Sequence, residues 1–230
     1  MEANKTEKSK STEIKVPEYE ARLRHHILRV PEEARECSGI RIFGKKIKTI
    51  VFSTDIAIIR NCDADAVFAV YPFTPQSAIS EAIIKSAFMP VFCGVGGGTT
   101  QGLRTVCLAK EVEAQGAVGV VLNAPVSDEN VLAVSKEVDV PVVITVVSED
   151  TDIQARLSNG ASILNVAAAA RTPELVSKIR KEFRDVPIIA TGGPTGETIK
   201  RTVEAGANAI TYTPPTAQEL FSCLMKKYRD

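Results

Sequence analysis

The 230-residue chain has no excess of charge of either sign: lysine plus arginine and aspartate plus glutamate number 28 each, for a formal net charge of +0. Without a long-range field of one sign, nucleic acid and anionic membranes are excluded as the expected partners. Paired cysteine spacing is also lacking, since Cys37, Cys62, Cys93, Cys107 and Cys223 are odd in number and scattered. That pattern fits neither a disulfide frame nor a cysteine metal cluster, and suits reduced thiols in a cytoplasmic protein. No apolar run is long enough to cross a membrane, and the opening MEANKTEKSKSTE is polar where a signal peptide would be apolar. Histidine is scarce. His25 and His26 stand side by side in the N-terminal segment, where a structural or surface role is expected.

What the chain does have is a repeat. With 44% hydrophobic residues it can bury a large core, and from residue 48 onward β-branched apolar runs alternate with amphipathic helical segments. Eight runs stand out, centred near Ile50, Phe68, Phe92, Val120, Val143, Leu164, Ile189 and Ile210. Most lack polar alternation, as strands buried on both faces do. The third, fifth and seventh open on Pro90, Pro141 and Pro187, while the fourth, sixth and eighth follow Gly-Ala steps at Gly116, Gly160 and Gly206. A period of two βα units and a count of eight predict a single (β/α)8 TIM barrel, α/β in class, over residues 48–230. The first unit is irregular, with TDIAIIRN reading as a stunted helix. Helix starts are expected at Thr74-Pro75 and Thr172-Pro173, and Thr216 with Glu219 forms a capping box. Ahead of the barrel, residues 1–15 read as a flexible tail and residues 16–47 as an extension. The extension comprises an amphipathic helix over residues 17–30, with Leu23, Ile27 and Val30 on its apolar face, and a hairpin turning at Gly44 and Lys45.

The barrel then dictates where chemistry can sit, because its functional groups come from the C-terminal ends of the strands and the loops that follow. Counting along the strands places Gly94, Asn123, Thr145, Asn165, Thr191, Thr211 and Thr213 inward at that end. This inventory is polar but neutral, and acid/base or Schiff-base chemistry needs a titratable group. Charged candidates lie only at the rim: Asp55, Arg104, Glu149, Asp150 and Arg171. Glu149, Asp150 and Asp55 are the candidate bases, with Asn123 and Asn165 polarising a carbonyl. Cys93 falls one residue out of phase and is expected to pack outward rather than act as a nucleophile.

Two glycine clusters face the same end. In TGGPT, backbone N–H groups at Gly192 and Gly193 precede a helix and favour an anion, with the Thr213 and Thr216 hydroxyls completing a phosphate site. The alternative is a tight turn and a helix cap. In CGVGGGTTQG, residues Gly96, Gly97 and Gly98 allow close approach to a ligand, or a mobile lid.

The runs PVFCGVG, GVVLNAP, PVVITVV, ASILNVAAAA and PIIATGGPT together resemble the aldolase-type barrels, most of all keto-deoxy-phosphogluconate aldolase, over about residues 63–216. The resemblance implies that Thr191, Gly192 and Gly193 hold substrate phosphate. It also meets two departures: Asn165 stands where that family carries its Schiff-base lysine, and the second strand has no acid where it carries a catalytic glutamate. The chain also resembles a group of uncharacterised bacterial barrel proteins labelled hydrolases, although it offers no Ser/His/Asp set. The expected function is therefore binding of a small phosphorylated metabolite, with isomerase or lyase action on a phosphosugar or keto acid and no required cofactor. A non-catalytic phosphometabolite-binding barrel, an FMN-binding barrel and a hydrolase stay open as alternatives, as does a homo-oligomer built on the N-terminal helix.

Overall fold

The computed structural model describes residues 17, 19, 21–22, 27–227 and 229. Eight parallel strands close into a barrel in sequential order. They are β3 (Thr49–Phe52), β4 (Ala66–Ala69), β5 (Val91–Gly96), β6 (Gly119–Leu122), β7 (Val142–Val146), β8 (Ile163–Val166), β9 (Ile188–Thr191) and β10 (Ala209–Tyr212), and β10 returns to pair with β3. Each strand stands at an expected apolar run, and each is followed by a helix on the outside. The helices are α1 (Ile56–Arg60), α2 (Ser77–Ser86), α3 (Leu103–Ala114), α4 (Asp128–Ser135), α5 (Ile153–Ser158), α6 (Thr172–Glu182), α7 (Gly196–Glu204) and α8 (Ala217–Lys227). The stunted helix is α1, only five residues long and capped by Asp55. Thr216 and Glu219 exchange their capping bonds, as expected. α2 begins three residues later than Thr74, at Ser77, because the Tyr71 hydroxyl ties the intervening loop to Gln76.

Strand alternation sorts the side chains into two layers. Ile50, Phe68, Phe92, Val143 and Ile189 pack together inside the barrel, whereas Val67, Cys93, Val120 and Ile144 face the helices. A hairpin of β1 (Ile40–Ile42) and β2 (Lys45–Ile47) sends Ile40, Ile42 and Ile47 into the interior cluster and so plugs the N-terminal mouth. Its turn lies at Phe43 and Gly44, one residue before the expected position, since both carry the positive φ (44° and 82°) that a two-residue hairpin turn demands.

The tail over residues 1–15, and residues 18, 20 and 23–26 of the helix expected over residues 17–30, which include Leu23, His25 and His26, lie outside the described residues. Residues 27–30, which are described, are extended rather than helical. The reason is local pairing: Leu28 bridges Cys62 as a parallel strand would, and the Val30 N–H donates to Asp63 Oδ1 at 2.8 Å. A 3-10 turn at Glu32–Glu36 follows and packs along α7.

Candidate ligand-binding site

The site grows out of the strand pleat. Two residues beyond the interior apolar layer of Phe92, Val121, Val143, Ile163, Ile189 and Ala209 come Gly94, Asn123, Thr145, Asn165, Thr191 and Thr211. With a period of two these positions point inward again, one storey nearer the C-terminal mouth. On these six strands the upper storey is hydroxyl, amide and glycine, and the same count on β3 and β4 gives Phe52 and Val70, so the storey has no titratable group. Its members find each other across neighbouring strands. Asn165 Nδ2 donates to Thr145 Oγ1 at 3.3 Å, and the Thr211 hydroxyl lies 3.3 Å from the Ala190 carbonyl and 3.4 Å from Thr191 Oγ1. One atom is left over: Asn165 Oδ1 is buried with no hydrogen-bonding partner among the described residues. A sealed acceptor costs about 1–3 kcal/mol unless a ligand or water donates to it.

Above β4, β5 and β6 the mouth opens into a cavity of about 400 Å³. The β5 loop and the end of β6 supply Gly94, Gly96, Gly98, Thr99, Thr100 and Asn123, and residues 70–75 of the loop after β4 supply the facing wall. The glycine run is fixed in place. Gly97 N–H donates to the Thr100 carbonyl at 2.9 Å, and the Asn123 N–H donates to the Gly96 carbonyl at 2.9 Å, so the loop lies flat on the end of β6. Gly97 has φ +99°, and a Cβ there would stand 2.6 Å from the Asn123 nitrogen.

The second cluster sits across the mouth, after β9 and β10. Thr191 and Thr211 are register partners, and Gly193 and Thr213, each two residues on in the turns that follow, are exposed. Gly192 is buried instead, because a Cβ there would meet Ile199 and Ile210 at 2.8 Å. Thr216 is occupied by its cap: its hydroxyl donates to Glu219 Oε2 at 2.8 Å and accepts the Glu219 N–H at 3.2 Å. The adjoining start of α7 is closed by a Thr195 and Thr198 box.

The rim charges disperse. Lys178 of α6 bonds Glu149 at 2.9 Å and holds that carboxyl below its usual range, out on the helical layer. Asp150 Oδ2 accepts from Ser148 at 2.8 Å. Asp55 Oδ1 caps α1 by accepting from Ala57 N at 2.8 Å and Ile58 N at 3.2 Å. Arg104 and Arg171 are exposed, and neither lines the cavity. Cys93 packs in the layer between barrel and helices, where burial pushes its thiol up to about 12, too high for a thiolate nucleophile.

Tyr71, Pro72 and Phe73 line the cavity although the strand-end reading passed over them. Their signal in the sequence is an aromatic and proline-rich loop, YPFTP, directly after a strand end on the active face.

A scan against protein-family models and a search of curated proteins each return no match. Among solved structures the chain is similar to phosphoenolpyruvate phosphomutase from Streptomyces platensis subsp. rosaceus, with a TM-score of 0.60 and 12% identity over 79% of this chain and 80% of that one. It is similar also to 2,3-dimethylmalate lyase, a member of the PEP mutase/isocitrate lyase superfamily, with a TM-score of 0.63 and 13% identity over 85% and 80%. A third similar structure is phosphonopyruvate hydrolase complexed with oxalate and Mg++, with a TM-score of 0.61 and 13% identity over 79% and 80%. The class is thus the single (β/α)8 barrel that these enzymes share, and at such identities the likeness is one of fold. None of the three is a keto-deoxy-phosphogluconate aldolase.

The magnesium ion of the third structure raises a question of fit. Magnesium is held by as few as one or two carboxylates with water, yet no carboxylate lines the cavity, and among the described residues no group of three or more His, Cys, Asp or Glu could hold a metal ion. The neutral upper storey does not fit such an ion. Millimolar Mg²⁺ or EDTA is accordingly expected to leave the melting temperature within about 1 °C, since an ion at 100 times its Kd would add roughly 2.7 kcal/mol. A rise of several degrees with Mg²⁺ in differential scanning fluorimetry would contradict this.

Proposed function

We propose that the chain binds a small keto acid or phosphorylated metabolite at the C-terminal mouth of its barrel and acts on it as a lyase or isomerase. One observation carries the reading: a concave site of about 400 Å³ walled on one side by glycine backbone, hydroxyls and an amide. Its volume suits a small molecule. The unpartnered Asn165 Oδ1 in the storey of inward polar groups adds a group that a ligand or its water would satisfy. In this reading Asn123 and Asn165 orient the carbonyl and stabilise enolate-like charge as neutral, preorganised dipoles. The anionic end rests on Thr191, Gly193 and Thr213, where two adjacent strands end. The names of the similar structures, which give phosphoenolpyruvate, phosphonopyruvate and 2,3-dimethylmalate, support a small acid.

The base in this reading is Asp55. It follows β3, the neighbour of β4, and its helix cap uses only Oδ1, leaving Oδ2. Because asparagine caps a helix as well as aspartate, Asp55→Asn removes the base while preserving the cap. Turnover across a panel of phosphosugars and keto acids is expected to fall by about 100-fold or more in Asp55→Asn, with the melting temperature unchanged. Undiminished turnover would remove Asp55 from the reaction. Glu149→Gln is expected to keep full activity.

A second reading is favoured by the chemistry of the cavity itself. Among the described residues Tyr71 is the only titratable one lining it, and the Tyr71 hydroxyl is committed to Gln76. A barrel that binds the metabolite without turning it over would look the same. Thermal stabilisation by a compound that is never converted would select this reading.

A further inference from the structure

The two walls of the cavity differ in kind. One, from the β5 loop and the end of β6, offers Thr99, Thr100 and Asn123 together with glycine backbone. The other, from the loop after β4, offers Val70, Tyr71, Pro72, Phe73, Thr74 and Pro75, apolar but for the Tyr71 and Thr74 hydroxyls. No residue of either wall carries a formal charge. The apolar wall is also held rigid: the Tyr71 hydroxyl accepts the Gln76 N–H at 2.8 Å and donates to the Gln76 carbonyl at 3.4 Å, clamping both main-chain groups five residues on. Pro72 and Pro75 fix φ within the same loop. Although it is a large apolar residue on a stiff loop, Phe73 is 73% exposed, so the fold itself does not use its ring.

We infer that this wall is a subsite for a flat apolar ring, and that the ligand is an aryl- or heteroaryl-substituted carbonyl compound rather than a bare small acid. Phenyl and proline faces stack planar rings, and the preorganised loop loses little conformational freedom when a ring docks. The opposite wall then meets the polar edge of the same molecule through neutral donors. This inference rests on the proposed keto-acid reading for the polar end of the ligand, but the ring subsite is defined by residues of its own.

Pyruvate and phenylpyruvate separate the two parts when titrated calorimetrically into the full chain, and benzyl alcohol, followed by saturation-transfer NMR, probes the ring alone. Phenylpyruvate is expected to bind at least tenfold more tightly than pyruvate, and Phe73→Ala to abolish that difference while leaving pyruvate binding intact. Phe73 is exposed, so this variant keeps the fold. Equal affinity for the two acids would overturn the ring subsite and leave the keto-acid reading standing. Transfer to benzyl alcohol that Phe73→Ala abolishes, with neither acid bound, would uphold the subsite and remove the keto-acid reading. Absence of any binding would overturn both.

Discussion

Gly97→Ala is expected to lower the melting temperature by roughly 10 °C and to abolish ligand binding at the barrel mouth. Two costs combine. At φ +99° the backbone is in a region that an L side chain enters at about 1–2 kcal/mol. The added Cβ would also stand 2.6 Å from the nitrogen and 2.8 Å from the oxygen of Asn123, both backbone atoms that cannot swing aside. Forcing a methyl group into such a contact costs about 1–3 kcal/mol, and relief comes only by lifting the loop off β6. That movement breaks the bond from Asn123 N–H to the Gly96 carbonyl and displaces the wall formed by Gly96, Gly98 and Thr99. Gly98→Ala is the internal control, because nothing lies within 4 Å of its missing side chain and its φ is ordinary. It should change stability by no more than about 0.5 kcal/mol. A Gly97→Ala protein melting within 2 °C of wild type would mean that the loop does not rest on β6.

This pair of adjacent glycines illustrates what the sequence could convey about the site. GGG after a strand announces close approach somewhere, but which glycine touches backbone depends on the neighbouring strand, 26 residues further on at Asn123. The barrel itself was legible because its signal is local and repeated: apolar runs opening on Pro90, Pro141 and Pro187 alternate with runs that follow Gly-Ala steps, and each became a strand. The inward positions followed from the same counting, so Thr145 and Asn165 meet as register partners, as do Thr191 and Thr211.

Other features depended on partners distant in the chain. Residues 27–30 have the spacing of a helix and are extended because Cys62 and Asp63 supply pairing that no local pattern encodes. Glu149, expected as a rim base, is ion-paired by Lys178 of α6, a partner that no local pattern announces. Gly192 and Thr216 carry the residue types of an anion site and serve packing and capping, since glycine and threonine are also what a tight strand-to-helix junction and a helix N-terminus require. Tyr71 and Phe73 went unread for the opposite reason, their role depending on which loop walls the cavity.

Inside the barrel the largest single loss of stability is expected at Phe92. Its ring has no exposure, meets Phe68 edge-on at a centroid distance of 5.2 Å, and fills the space beside Gly119. Phe92→Ala should cost about 3–5 kcal/mol, because the closed ring of strands cannot collapse onto the void. The more discriminating test is the coupling with Gly119. A Cβ at Gly119 would stand 2.6 Å and 2.8 Å from Phe92 ring carbons, and φ there imposes no bar to alanine, so the glycine is required by the volume of the phenyl ring alone. Gly119→Ala in the wild-type background should therefore destabilise by about 1–3 kcal/mol. Once Phe92 is alanine, the same methyl group enters empty space, with only the Pro141 carbonyl at 3.2 Å to accommodate. It should then be neutral or stabilising, reversing sign, as expected for residues that share one cavity. Chemical denaturation of the four proteins of this cycle measures the coupling directly. Additive effects would show that Gly119 is held to glycine by something other than the ring, and that the interior packing between β5 and β6 differs from that described.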